Sequence, residues 1–552
     1  MSVNEEVYDV VVVGSGGGGM IGGYLAASRG LRTLIIEKTD QVGGTTSYSG
    51  AGLWFPGSAP VARAGIDESD RQAAREYLRA VVGDDSRAEL HDAYLSAGPR
   101  LIDELEKNPW FGEFTHMTVP DYFAGLPGAT PHGRTVFPAP ITVAELGDKA
   151  DLVRKSIYTE RYGHTEDETL VGGRAFIARA LAAFLDTGHG DVRVNTALSR
   201  LIVEDGRVTG VEARCDGEVV ALRAERGVLL AAGGFEHNPE LRAKYGAIPS
   251  TGDWSDGVDS NVGDALLAGI AVGADTELMD EAWYVPGVVQ PDGKPLFNHA
   301  SRGGIWVNAE GKRFTNETAP YDQAGHAIRD GERDTDVSHT PTHWVFDHKQ
   351  LSRDGFGGKS PQTPIADDWF TSGALKKADT LEELAALIDV PTAELTASVQ
   401  TFNGYVESGV DEEFHRGETP WDQMCQFIVG YPALPEQNFV VPIEAEGPNP
   451  LIVSIDTPPY YAATLLLSDI GTKGGLKTDA DSRVLGADGE PIAGLYATGN
   501  TMAAMSGKVY PGAGTPIGSA LAFAYQAVAD IAAGAGASGD LVESGRVNAD
   551  TE

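Results

Sequence analysis

The sequence predicts an α/β fold in which a split, Rossmann-like nucleotide-binding domain carries an inserted α+β domain. Three observations lead to this expectation. An apolar strand at Val10–Val13 runs into Gly14-x-Gly16-x-x-Gly19 and then a helix-forming stretch, Met20–Arg29. A second glycine-rich stretch, Gly43–Gly52, follows closely. A strand pattern opening into a glycine loop returns late in the chain, at Gly494–Asn500.

The first unit is a dinucleotide fingerprint in full context. Gly14 allows the tight turn, Gly16 lets backbone approach a pyrophosphate, and Gly19 lets helix and strand pack closely. The helix start offers free N–H groups and partial positive charge to phosphates. The helix reads as amphipathic and stops at Gly30. A second strand, Leu34–Ile36, ends in Glu37, whose acceptor-only carboxylate suits a ribose diol. Gly43–Gly52 mixes glycine with hydroxyl side chains, which suits contact with a flat polar ring and its diphosphate.

Bulk composition narrows the class. The chain has 552 residues, which favours two domains. Its 42% hydrophobic content is enough for both cores. A net charge of −38 argues against nucleic acid and anionic membranes as partners. No apolar run reaches the ~18 residues of a membrane span. Two cysteines, Cys215 and Cys425, imply no disulfide framework and suit a reducing cytoplasm. The short acidic start does not read as a signal peptide. The acidic tail after Ala533 is expected to be mobile.

Later segments extend the pattern. Leu201–Glu204 and Arg207–Glu212 flank Asp205-Gly206, and Asp216-Gly217 marks a second turn, so a β-meander is expected. Gly227–Gly234 then reads as a buried strand ending in glycines. A meander that returns to a doubly wound sheet favours an FAD-binding oxidoreductase by fold analogy. Between about Ala282 and Ser468 the patterning is less regular. Gly494–Asn500 reads as a strand opening toward a ribityl chain. The helix Pro516–Ala533 is amphipathic and places its N-terminus where reduced flavin would carry charge. The expected division is a first FAD-binding part over 1–281, a catalytic domain over 282–470, and a second FAD-binding part over 471–552. Gly357-Gly-Lys-Ser360 lacks the first glycine of a phosphate loop. The histidines show no metal-ligand spacing, and no second GxGxxG indicates a nicotinamide site.

Beyond the fingerprint, the chain resembles the 3-ketosteroid Δ1-dehydrogenases of the succinate dehydrogenase/fumarate reductase flavoprotein group. The resemblance covers nearly the whole chain. It rests on Val13-Gly-Ser-Gly-Gly-Gly18, Glu37-Lys-Thr-Asp40, Gly43-Gly-Thr45, Tyr48-Ser-Gly-Ala51, Pro120-Asp-Tyr122, Asn316-Glu317, Pro320-Tyr-Asp-Gln323, Leu467–Gly475 and Tyr510-Pro-Gly-Ala-Gly514. It implies non-covalent FAD, since no His or Cys lies in the Gly43–Gly52 loop. The implied cofactor contacts in the first unit are Gly14, Ser15, Gly16, Gly18, Gly19, Glu37 and Lys38. The second glycine stretch adds Gly43, Gly44, Thr45, Ser49 and Gly50. Ala232, Gly233, Gly499, Asn500, Gly514, Pro516 and Ile517 complete the set.

The resemblance also implies removal of hydrogen from carbons 1 and 2 of a 3-ketosteroid. Tyr321 would take the carbon 2 proton, with Tyr122 hydrogen-bonded to it. Tyr510 and the Gly514 N–H would hold the carbon 3 oxygen, and Phe297 and Trp54 would wall the pocket. Two donors on that oxygen make the neighbouring hydrogen acidic. Tyrosine ordinarily titrates near 10 and burial raises it further, so positive potential or a donor must support a tyrosinate. Val119 and Gly52 depart from the family pattern. An external electron acceptor such as a quinone would complete turnover.

Three other readings compete. A 4-ene ketosteroid dehydrogenase shares the fold, and the retained Tyr122 argues against it. Fumarate reduction needs clustered cations, for which Arg302 and Arg313 are the candidates. A flavin-carrying electron-transfer subunit would not need the Tyr321, Tyr510 and Gly514 set.

Overall fold

The computed structural model describes residues 5–534 except 68, 84–86, 216, 299–300, 358–360 and 427–444. The acidic tail and Asp216 of the second expected turn lie outside the described residues.

One sheet has eight strands. In chain order these are β1 (Glu5–Val13), β2 (Thr33–Ile36), β3 (Gly190–Arg193), β4 (Thr196–Glu204), β5 (Arg207–Cys215) and β6 (Glu218–Leu230). A second sheet comprises β7 (Ala282–Val289), β8 (Pro295–Phe297), β9 (Ile305–Val307), β10 (Thr342–Asp347), β11 (Leu375–Ala378) and β12 (Tyr460–Thr472). The chain then returns to the first sheet with β13 (Arg483–Leu485) and β14 (Pro491–Ala497).

The first sheet runs β13-β14-β6-β1-β2-β3. Its centre is parallel, with Val10–Val13 facing both Gly227–Leu230 and Thr33–Ile36. Apart from Thr33 these paired segments are apolar throughout, because both sheet faces are covered. The meander is present: β4 and β5 turn at Asp205-Gly206, and β5 pairs antiparallel with β6. Strand β6 is long because Glu218–Arg223 serves that meander while Val228–Leu230 lies between β1 and β14.

Helix α1 (Gly17–Ser28) differs from the expected amphipathic segment. Residues 17–27 are all buried. It lies on the sheet between α2 (Gly172–Asp186) and a late helix, so it has no solvent face. Gly22 and Gly23 permit this. A Cβ at Gly22 would stand 2.5 Å from a Leu229 methyl, and one at Gly23 2.5 Å from an Ile35 methyl.

The second sheet is antiparallel and runs β8-β7-β12-β10-β9, with β11 also on β12. Its regularity was hidden because β7 is buried along nearly its whole length and shows no alternation. Its partner is remote: Ala282 pairs with Thr472. Helix α3 (Tyr321–Asp334) packs on β7, where a Cβ at Gly325 would meet Tyr284 Cβ at 2.8 Å. Helix α4 (Thr515–Ala533) begins one residue before the expected Pro516, capped by Gly514. Where the sheets meet, Lys473 N–H donates to Glu281 O and Ala504 N–H to Lys473 O, each at 2.9 Å.

Candidate active site

The glycine loops form an open cradle. Gly14 has φ +97°, and a Cβ there would stand 2.5 Å from Ala231 O. A Cβ at Gly19 would lie 2.0 Å from Gly14 O. Gly16, the N-cap of α1, is different: a Cβ there would find nothing nearer than 3.9 Å. Packing therefore demands Gly14 and Gly19, whereas Gly16 and the unobstructed Gly50 face a space that a bound group can use. Glu37 is set at the edge of this cradle. Its Oε2 accepts from Ser15 Oγ at 2.6 Å and Ser15 N at 3.2 Å, and its Oε1 accepts from Thr39 N at 2.9 Å. Gly43 N–H donates to Ser15 Oγ at 3.1 Å, so the two glycine stretches are tied together. An acidic edge beside helix-start backbone fits the ribose and pyrophosphate of FAD.

The other expected contacts also meet partners within the chain. A Cβ at Gly18 would meet Thr498 Cγ2 at 2.8 Å and Ala520 O at 3.1 Å, so this glycine serves α1–α4 packing. Lys38 Nζ is paired with Asp264 at 2.6 Å. Thr45 Oγ1 accepts from Val258 N at 3.1 Å and Asn261 Nδ2 at 3.2 Å. Gly233 has φ +74° and sits against the Asn261 side chain, and its carbonyl accepts from Thr501 Oγ1 at 2.9 Å. Gly44 lies against Gly16, Ser49 Oγ donates to Thr46 O at 2.7 Å, and half-buried Ala232 borders Gly233. Gly499 has φ +61°, and half-buried Pro516 and Ile517 form the first turn of α4. Asn261 and Thr46, which accepts from Gly17 N at 3.0 Å, were not picked out from sequence. Thr46 lies inside the second glycine stretch beside Thr45, whereas Asn261 is an isolated polar residue without a motif.

Next to this cradle, three tyrosines from distant segments converge. Tyr122 OH donates to Tyr321 OH at 2.8 Å. The Tyr510 ring meets the Tyr321 ring edge-on, with centroids 5.5 Å apart. Gly514 N–H donates to Tyr510 OH at 3.2 Å. Tyr122 comes from a loop fastened by its N–H to Pro511 O at 3.0 Å. Tyr321 is the first residue of α3, where side chains lean over the positive helix end. Gly514 has φ +92° and caps α4, and a Cβ there would collide with Gly52 O at 2.2 Å. Gly52 thus packs beneath the Gly514 loop, and Val119 packs at the cluster's rim.

Phe297 joins the cluster, its ring edge-on to Tyr321 at 4.9 Å. Trp54 does not. It is fully buried beneath the Tyr510–Gly514 turn, where a Gly512 Cβ would stand 2.5 Å from its Nε1. Trp283 and Trp421 do belong to the cluster, with centroids 5.2 Å from Tyr510 and 4.6 Å from Tyr122. Nothing in their local sequence marks them: Trp283 sits in an apolar run that reads as core, and Trp421 stands alone between Pro420 and Asp422.

Burial pushes the Tyr122, Tyr321 and Tyr510 hydroxyls well above their ordinary value. After burial, Tyr122 pushes Tyr321 further upward, and Tyr510 acts downward on it. Linked hydroxyls of this kind share a negative charge across several oxygens. The cations considered for a dicarboxylate are committed elsewhere. Arg302 holds Asp354 at 2.5 Å, and Arg313 holds Glu317 at 2.8 Å and Asp411 at 2.7 Å. Among the described residues no cluster of His, Cys, Asp and Glu is suited to a metal.

The FAD binding domain family matches residues 9–517. The 3-oxosteroid 1-dehydrogenase of Mycobacterium tuberculosis is 38% identical over 97% of this chain and 100% of that protein. The 4-oxocyclohexanecarboxylate 2-dehydrogenase of Sinomonas cyclohexanicum is 33% identical over 96% of this chain and 93% of its own. A solved 3-ketosteroid Δ1-dehydrogenase of Sterolibacterium denitrificans, in complex with 1,4-androstadiene-3,17-dione, superposes with a TM-score of 0.86. It is 32% identical and covers 96% of this chain and 100% of its own. With its glycine cradle and buried tyrosines in place, the chain belongs to the FAD binding domain family, in the group of the 3-oxosteroid 1-dehydrogenases.

Proposed function

We propose that the chain carries out FAD-dependent 1,2-dehydrogenation of a 3-ketosteroid. The observation that carries this reading is the buried cluster of Tyr122, Tyr321 and Tyr510 beside the Gly514 N–H. FAD, when bound, supplies the acceptor for the hydride that leaves carbon 1. Tyr321, as tyrosinate, takes the proton from carbon 2, and the electron pair of that C–H bond becomes the new double bond. Tyr122 OH steadies the Tyr321 oxygen. Tyr510 O–H and Gly514 N–H donate to the carbon 3 oxygen as it gains negative charge. Phe297 forms an apolar wall against Tyr321, which suits a flat hydrocarbon ring.

The related structure holding 1,4-androstadiene-3,17-dione supports this substrate class, because that ketone has the double bond the reaction makes. A carboxylate-bearing ring, as named for the Sinomonas relative, finds less support, since Arg302 and Arg313 are already paired. The reading includes a catalytic insert over 282–470 between FAD-binding parts at 1–281 and 471–552. It also includes a cytoplasmic location and an external, quinone-type electron acceptor. No helix among the described residues is long and apolar enough to cross a membrane.

The test is a visible spectrum of the yellow holoenzyme, kept anaerobic, before and after androst-4-ene-3,17-dione. Bleaching with formation of the 1,2-unsaturated ketone supports the reading. A spectrum that stays yellow overturns the substrate class.

A further inference from the structure

Asp322 follows Tyr321 in the first turn of α3, and its carboxylate is buried. Lys473, fully buried, places Nζ 3.1 and 3.4 Å from the two Asp322 oxygens. The same ammonium donates to Lys508 O at 2.6 Å and lies 4.8 Å from the centre of the Trp283 ring. That ring meets Tyr510 edge-on at 5.2 Å. On the other side of Asp322, His326 Nδ1 is 3.3 Å from Oδ2, and its Nε2 is 3.4 Å from Glu281. Glu281 in turn holds Arg329 at 3.0 Å and Lys508 Nζ at 3.3 Å.

A buried ion pair is weak evidence for stability, because desolvation offsets its attraction. Its position suggests another use. The Asp322 carboxylate acts on Tyr122, Tyr321 and Tyr510 alike, in the direction that opposes ionisation. In a buried site such a charge is poorly screened. Lys473 sets a counter-charge against the same carboxylate at 3.1 Å, while burial pushes that ammonium below its ordinary value.

We propose that Lys473 is a positioning residue for proton abstraction: its buried ammonium neutralises Asp322 and lets the tyrosine cluster hold negative charge. His326 adds a second, weaker contact to the same carboxylate. The inference rests on Tyr321 being the base, and the experiment separates the two claims.

Anaerobic single-turnover reduction of the FAD holoenzyme by androst-4-ene-3,17-dione is followed from pH 6 to 10 for wild type, Lys473→Met, Asp322→Asn, the double variant and Tyr321→Phe. Lys473→Met is expected to slow reduction about tenfold at pH 8 and to move the alkaline rise upward by about one unit. FAD content and steroid Kd are expected to stay unchanged. The double variant is expected to bring the rise back toward wild type. Asp322→Asn, which leaves the ammonium without its carboxylate, is expected to move the rise to lower pH. It decides the matter should Lys473→Met yield no holoenzyme. A wild-type profile in Lys473→Met or Asp322→Asn overturns the proposal, as does a double variant no faster than Lys473→Met. Tyr321→Phe that reduces flavin at the wild-type rate overturns the base assignment instead.

Discussion

Trp54 donates its indole N–H to Oδ1 of Asp121 at 2.8 Å, one residue before Tyr122. The same carboxylate accepts from Thr130 N at 3.1 Å and pairs with Arg134, which reaches on to Asp70 at 2.7 Å. Trp54 therefore acts beneath the site, holding the loop that presents Tyr122. Asp121→Ala would leave the Arg134 guanidinium and the Trp54 N–H without this partner in a buried place. The expected cost is about 3–5 kcal/mol, read as a lowered thermal midpoint. Asp121→Asn keeps an acceptor for Trp54 and should lose less.

The tyrosines separate by kinetics. Tyr510→Phe should slow flavin reduction by about 10²–10³ while FAD stays bound. Tyr321→Phe should fall further, because no other oxygen takes the proton. The chemical step should accelerate from pH 6 toward 10, about tenfold per unit while the linked hydroxyls are mostly protonated. Burial raises all three, so the rise should continue to the top of that range. A flat single-turnover profile would count against Tyr321 as the base.

Gly16 and Gly514 should fail in different ways. A Cβ at Gly16 has 3.9 Å of room and the backbone is ordinary, so Gly16→Ala should fold with an unchanged apoprotein midpoint and lose FAD. At Gly514 the Cβ would press on Gly52 O at 2.2 Å from a φ of +92°. Gly514→Ala should keep FAD poorly ordered at best and lose most turnover. FAD content by absorbance and unfolding of the stripped protein distinguish the two.

Asp256 links stability to pH. Its carboxylate accepts from Phe297 N at 2.7 Å and pairs with Arg161 at 2.8 Å. Burial pushes it up to about 7, against the pull of Arg161. A carboxyl raised in the folded chain favours folding while protonated, and that advantage fades as pH climbs from about 4 through 7. Asp256→Asn removes this dependence. Wild type should therefore lose ground to Asp256→Asn by a few kcal/mol between pH 4 and 7, with little change above. Unfolding midpoints of both proteins across that range check it.

The cradle was legible because it is local. Gly14, Gly16, Gly19 and Glu37 lie within one strand–turn–helix–strand unit, and each glycine answers a turn or a close approach set by its neighbours in the chain. The roles of Gly18 and Lys38 were not legible. What touches them is Ala520 and Asp264, hundreds of residues away. The buried character of α1 was hidden for the same reason, since its covering helices come from other segments. The antiparallel insert gave no alternation to read, because β7 is covered on both faces.

The sequence by itself determined the nucleotide-binding unit, the return of the chain to it, and the tyrosine and glycine motifs. Only the tertiary structure decided that Trp54 supports the site from below and that Lys473 faces Asp322. Turn geometry and helix starts depend on a few consecutive residues and leave a pattern in the chain. Hydrogen bonds and ion pairs between segments depend on how the sheets pack, and the sequence leaves no spacing from which that can be read.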